Sequence, residues 1–262
     1  MRRVWMTAGG LALVLASLGG CSASESEEPG PVRTQAHQGL AAAVPVELVR
    51  DIRVTPAYNP SSAPTYFTAS GGKAYFFASV EGYGRELWVT DGTPEGTRLV
   101  KDLWPGPYSP VGIPSGDAPR DPGNLRMVDV GGVLYFPASV NGSDHALWRT
   151  DGTPTGTVEV KEICANFCPA EIGALTAFNG RLLFAAANNS WDTEPWVSDG
   201  TAAGTVRLKD IFPGSNSSLP RAFTAWNGAM YFLATTGRTG FEMWRTDGTL
   251  EGTVQVSTNP AL

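Results

Sequence analysis

The sequence predicts an all-β fold: a β-propeller of four four-stranded repeats, about 48 residues each, preceded by one spare N-terminal strand. Three observations carry this prediction. Asp-Gly-Thr recurs at Asp91, Asp151, Asp199 and Asp247, at spacings of 60, 48 and 48 residues. A Trp stands three residues before each of these aspartates (Trp88, Trp148, Trp196, Trp244), and a Gly-Thr pair follows each, from Gly96-Thr97 to Gly252-Thr253. Upstream, Phe76, Phe136, Phe184 and Phe232 keep the same intervals, as do Ala78, Ala138, Ala186 and Ala234. The composition agrees. With 31 Gly and 20 Pro the chain is a poor helix former, while 42% hydrophobic residues suffice for a core.

Each repeat reads as four short strands. In the last, Phe223 to Trp226 is the first strand, and Asn227-Gly228 is a two-residue hairpin whose positions both tolerate positive φ. Ala229 to Ala234 is the second strand, and a polar loop leads to Phe241 to Thr246, the third. Asp247 to Gly252 turns the chain into the fourth, Thr253 to Ser257. Asn179-Gly180, Gly71-Gly72 and Gly131-Gly132 serve the same hairpin in the other repeats. The extra residues of the first interval fall in a Pro/Gly-rich stretch between Asp102 and Leu125. Leucine-rich repeats are shorter, helical repeats lack such glycines, and a β-sandwich keeps no strict 48-residue period. Val46 to Ile52 matches the fourth strand of a repeat, as in Leu99 to Leu103, and is the spare strand. It can replace the short last strand and lock a four-bladed ring. Two further arrangements stay open: the chain is part of a longer array, or two copies complete each other.

The N-terminal region reads as an export signal. Arg2 and Arg3 precede a short apolar run, Leu11 to Leu18, which is too short to span a bilayer at about 20 apolar residues. Leu18-Gly19-Gly20-Cys21 resembles a bacterial lipoprotein box. The resemblance implies a signal peptide over residues 1–20 and lipidation of Cys21, with enough acyl chains for stable anchoring. Ser22 at the next position disfavours inner-membrane retention under the lipoprotein sorting rule of Gram-negative hosts. Residues 21–45 are small, polar and Pro/Gly-containing, a flexible tether in which His37 is solvated. The repeat domain occupies residues 46–262.

Glu86-Leu87-Trp88-Val89-Thr90-Asp91-Gly92-Thr93 matches in full the ELWxxDGT repeat of myxobacterial and other bacterial surface proteins, and the chain resembles that family over roughly residues 46–258. The other copies depart at their start: Ala146-Leu147-Trp148, Glu194-Pro195-Trp196 and Glu242-Met243-Trp244. The resemblance implies an exported repeat protein with no established activity.

The chemistry-bearing residues point to structure more than to catalysis. A net charge of −6 argues against a nucleic-acid partner. Each Asp-Gly-Thr turn offers one carboxylate, whereas Ca²⁺ wants six to eight oxygens, so Asp91, Asp151, Asp199 and Asp247 are expected to accept hydrogen bonds from their own turns. Neither a metal nor a cofactor is expected. The repeated Trp side chains suit packing between blades. Glu86, Glu194 and Glu242 share their side of the strand and are expected to accept hydrogen bonds or meet a cation. Cys164 and Cys168, outside the cytoplasm, suit a local disulfide closing a small loop, worth about 2 kcal/mol. No Gly-x-Ser-x-Gly, His-Glu-x-x-His or phosphate loop is present.

Two faces of the propeller differ in sequence. The hairpin and Asp-Gly-Thr turns share one face and are near-identical. The second-to-third and fourth-to-first loops share the other and vary. They carry Tyr83, Arg85, Trp104, Tyr108, Asp144, His145, Trp191, Asp192, Arg238 and Phe241, a composition typical of recognition hot spots. The sequence thus predicts a lipid-anchored binding or scaffold lipoprotein of the bacterial cell envelope, at the outer membrane or cell surface, with a protein or carbohydrate ligand. The alternatives are an extracytoplasmic hydrolase or lyase acting on polysaccharide and a structural element of an envelope array.

Overall fold

The structure, a computed structural model, describes residues 49–52, 62–110, 127–140, 145–164, 172–188, 192–238 and 240–257. The proposed signal peptide, Cys21 and the tether lie outside the described residues.

Among the described residues, sixteen strands form four four-stranded antiparallel sheets, each in chain order, and there is no helix. Blade 1 is β1 (Thr65–Ser70), β2 (Lys73–Val80), β3 (Gly84–Thr90) and β4 (Arg98–Lys101). Blade 2 is β5 (Val128–Val130), β6 (Val133–Ala138), β7 (His145–Thr150) and β8 (Val158–Cys164). Blade 3 is β9 (Gly173–Phe178), β10 (Arg181–Ala187), β11 (Thr193–Ser198) and β12 (Val206–Arg207). Blade 4 is β13 (Arg221–Trp226), β14 (Ala229–Thr235), β15 (Phe241–Thr246) and β16 (Val254–Gln255). These are the four four-stranded antiparallel propeller blades that the repeat predicts.

The register repeats with the sequence. Phe76 pairs with Trp88, Phe136 with Trp148, Phe184 with Trp196 and Phe232 with Trp244. The hairpin pairs Asn179-Gly180 and Asn227-Gly228 have positive φ at both residues, which tightens the turn in the sense that the strand twist needs. A bulge recurs in the first strand, at Tyr66, Ala174 and Ala222, each in the left-handed region.

Side chains alternate between two faces of each blade. The rear face carries Phe76, Ala78, Trp88 and their counterparts, and the front face carries Tyr75, Phe77, Leu87 and theirs. The front of blade 1 packs on the rear of blade 2 in one cluster, which joins Phe77, Leu87 and Val100 to Phe136 and Trp148. The front of blade 2 meets the rear of blade 3 through Tyr135, Leu147, Phe184 and Trp196. The front of blade 3 (Leu183, Val197, Leu208) meets Met230 and Phe223 of blade 4. All four repeated Trp side chains are buried: Trp148 and Trp196 lie between successive blades, Trp244 packs with Ile211 and Phe232, and Trp88 packs under Ile52 on the rear of blade 1. Each is worth about 4–6 kcal/mol as an upper bound on apolar burial.

The spare strand is modified by the structure. Val46 to Leu48 lie outside the described residues, and residues 49–52 form no strand. A strand needs a ladder partner, and no described sheet precedes blade 1. The segment instead docks by side chains: Ile52 packs on the rear cluster of Phe76, Ala78 and Trp88, as Ile211 does on Phe232, Ala234 and Trp244.

Candidate functional site

The Asp-Gly-Thr turn is a closed hydrogen-bond unit. Oδ1 of Asp91, Asp151, Asp199 and Asp247 accepts from the amide of the Thr two residues on at 2.8–2.9 Å, and from its hydroxyl at 2.7 Å. That Thr Oγ1 accepts from the next Gly amide, for example Gly96 at 3.0 Å. A second hydroxyl pair ties the two ends of the turn: Thr90 with Thr97, Thr150 with Thr157, Ser198 with Thr205 and Thr246 with Thr253, at 2.6–2.7 Å. These bonds hold all four carboxyls below the usual aspartate range, the Thr hydroxyl first and the Thr amide second. The carboxylate also wraps the second glycine. A Cβ at Gly96, Gly156, Gly204 or Gly252 would stand 1.9–2.1 Å from the nearest Asp side-chain atom.

The buried glutamates pin the links between blades. Oε2 of Glu86 accepts from the Leu103 amide at 3.0 Å, just beyond β4. Glu194 accepts from the amides of Ile211, Phe212 and Ser218 and from the Ser218 hydroxyl at 2.7 Å. Oε2 of Glu242 accepts from Ser257 at 3.0 Å. Burial pushes the Glu86 carboxyl up to about 8 against the opposing Leu103 amide, and burial likewise raises Glu194.

Asp192, Glu194 and Asp210 bring three carboxylates within 4.8 Å of one another. Three carboxylates are a start for a cation, yet each already has an oxygen facing a partner within the protein. Arg207 bonds Asp192 at 2.7 Å and approaches Asp210 at 3.8 Å, and Glu194 holds the link to blade 4. Burial raises the Asp192 carboxyl, and Arg207 counters it. The arrangement is a brace between strand ends.

The predicted binding-face residues divide. Tyr83 is exposed on the tight β2–β3 turn, where its amide donates to Val80 O at 3.2 Å. Tyr108 is exposed and stacks on half-buried Trp104 with ring centroids 5.2 Å apart. The two segments touch: a Cβ at Gly84 would lie 2.1 Å from Tyr108 O, and Ser109 Oγ accepts from the Arg85 amide at 2.9 Å. Arg238 and Phe241 are exposed, with the Arg221 guanidinium 3.6 Å above the Phe241 ring. Two residues of the set are corrected. Arg85 is buried, donating to Ala63 O and Thr65 Oγ1, and Asp192 is buried against Arg207. A charge at the first residues of a strand is drawn in to satisfy the neighbouring loop, and so leaves the surface. His145 opens β7 opposite Cys164, while Asp144 and Trp191 lie outside the described residues. Cys164 ends β8 and is disulfide-bonded, and Cys168 lies outside the described residues.

One set of residues escaped the sequence reading. Lys101, Lys161 and Lys209 each donate through Nζ to the carbonyl of the turn-closing Thr in the next blade (Thr157, Thr205, Thr253) at 2.7–2.9 Å. Arg50 makes the same bond to Thr97 O. The signal was present: a cation followed by Asp or Glu recurs at Arg50-Asp51, Lys101-Asp102, Lys161-Glu162 and Lys209-Asp210.

No family model and no curated protein matches the chain. Similar solved structures include TolB from Acinetobacter baumannii, at 13% identity and a TM-score of 0.39, covering 70% of this chain and 40% of that one. Puromycin hydrolase is similar at 13% identity and a TM-score of 0.40, covering 78% of this chain and 33% of that one. Oligopeptidase B from Leishmania major is similar at 9% identity and a TM-score of 0.43, covering 74% and 27%. This chain therefore spans less than half the length of each.

Proposed function

We propose that the protein is a membrane-anchored extracytoplasmic lipoprotein of the cell envelope whose propeller blades form a binding scaffold. Lipidation of Cys21 supplies the anchor, the tether gives reach, and the blades supply a rigid frame. The observation that supports the binding role is the aromatic group on blade 1. Tyr83, Trp104 and Tyr108 come from two separate loops that are locked together at Gly84 and Ser109. Rigid aromatic rings on a fixed frame present contact area at low entropic cost, and suit stacking on sugar ring faces or apolar side chains of an envelope component.

The test is capture from envelope extracts by the mature lipoprotein in detergent. The double change Trp104→Ala, Tyr108→Ala is expected to weaken capture at least tenfold, because two stacked rings are lost, and to leave the melting midpoint within a few degrees. Thr93→Ala, on the opposite turn face, is expected to lose stability and keep capture. The reverse pattern would invert the face assignment.

The anchor has its own test. Cys21→Ser removes the thiol that takes the lipid, and the variant is expected to leave the membrane fraction. Full retention with membranes would defeat the lipoprotein assignment.

A further inference from the structure

Within this chain the front face of one blade is buried three times by the rear of the next. The fourth copy of that face is uncovered. Val256 is 43% exposed, where its counterparts Val100, Val160 and Leu208 are at 1%, 6% and 3%. Met243 is 42% exposed against 0% for Leu87 and Leu147, and Trp226 is 65% exposed where blade 3 has Phe178 at 7%. The other end of the run carries the matching half. Phe67, on the rear of blade 1, is 52% exposed, while its counterparts Met127 and Leu175 are at 2% and 3%. The counterpart in blade 4, Phe223, packs in the cluster of Leu183, Val197 and Leu208.

Two finer features fit the same junction. The phenols of Tyr75 and Tyr135 lie against the turn glycines of the following blade. A Cβ on Gly152 or Gly200 would come within 2.6 or 2.3 Å of the phenol oxygen. Tyr231 is the corresponding tyrosine of blade 4, and Gly92 is the corresponding glycine of blade 1, with nothing within 4 Å of where its Cβ would stand. The cationic rung is also accommodated. Blade 4 has Ser257 where the other blades have Lys101, Lys161 and Lys209, and the rung onto Thr97 O is already made by Arg50. A fourth lysine would bring a second cation to a carbonyl that is already occupied.

We propose that two copies of the chain dock head to tail, the front of blade 4 in one against the rear of blade 1 in the other. The occupant is identified by the three internal junctions, which show what this surface is shaped to hold. The chain's own blade 1 is not that occupant, because Phe67 and Val256 are exposed together in one molecule. Two such junctions related by a two-fold axis close a ring within the usual range of 4–8 blades.

The experiment is the mass of the mature lipoprotein in detergent by sedimentation equilibrium, at tens of micromolar protein. A dimer is expected. Val256→Asp and Phe67→Asp are each expected to give folded monomer with an unchanged far-ultraviolet circular dichroism spectrum, since both side chains are about half exposed in the single chain and Phe67 gives up only its stack on Phe76. The melting midpoint falls by the stabilisation that the dimer supplied. Mixing the two variants restores dimer, because each supplies the face the other has lost. Longer assemblies abolished by both variants would also uphold the junction. A monomeric wild type, or a dimer that survives both substitutions, would overturn it.

Discussion

Gly204→Ala is expected to lower the melting midpoint by about 6–12 °C. The Cβ it adds would stand 2.1 Å from the Asp199 carboxylate, well inside contact distance, so the carboxylate must leave. Leaving breaks its bonds to the Thr201 amide and hydroxyl at 2.8 and 2.7 Å. The same turn holds the Ser198–Thr205 hydroxyl pair and the Thr205 carbonyl that receives Lys161 from the blade before. The overpacking and lost bonds together cost about 3 kcal/mol, and a domain of this size shifts by about 2–4 °C per kcal/mol. Asp199→Ala in the Gly204→Ala background should cost much less than Asp199→Ala alone, since the carboxylate has already been displaced. Scanning calorimetry of the four variants measures this. Additive losses would show that the glycine acts through something other than the carboxylate. A chelator should leave the wild-type midpoint unmoved, because the turn completes its bonding with its own Thr hydroxyl and amides.

Glu86→Gln is expected to flatten the neutral-to-alkaline part of the stability profile. Glu86 is fully buried and its carboxyl is raised from 4.5 to about 8, chiefly by burial, with Asp102 adding to it and the Leu103 amide opposing. A raised carboxyl binds its proton more tightly folded than unfolded, so stability is highest below the unfolded value. It falls as pH rises from about 4.5 to about 8, and levels off above. The decline at this one site is about 3–5 kcal/mol at 1.36 kcal/mol per unit. Gln keeps a carbonyl for the Leu103 amide and never ionises. The variant should match the wild type near pH 5 and exceed it near pH 9 in urea midpoint. Parallel curves for the two proteins would refute the assignment. Glu194, also raised by burial, contributes in the same direction. The acid limb has the opposite sign. The four turn aspartates are held below their usual value, so their contribution is present above that value and is lost as pH falls through the folded one.

Much of this architecture is legible in one dimension because it is local and repeated. The Asp-Gly-Thr turn is closed by atoms within six residues of its aspartate, and the hairpin needs only two residues that tolerate positive φ. Spacing alone therefore identifies blades, strand order and the recurring Phe76 and Trp88. The glutamates are half legible. Alternation assigns Glu86, Glu194 and Glu242 to the rear face, but their partners at Leu103, Ile211 and Ser257 come from the far side of a turn.

The sequence by itself determined the period, the all-β character and the residues that each blade reuses, since these depend on bonds between near neighbours and on side-chain alternation. Only the tertiary structure decided which residues are available at the surface. Arg85 and Asp192 read as loop charges fit for recognition, yet both are buried, because each satisfies polar groups brought to it by another segment. Trp226, Met243 and Val256 occupy core positions by every rule of the repeat, yet they are exposed. A repeat specifies what each blade would bury, and the neighbour that actually arrives decides what is buried.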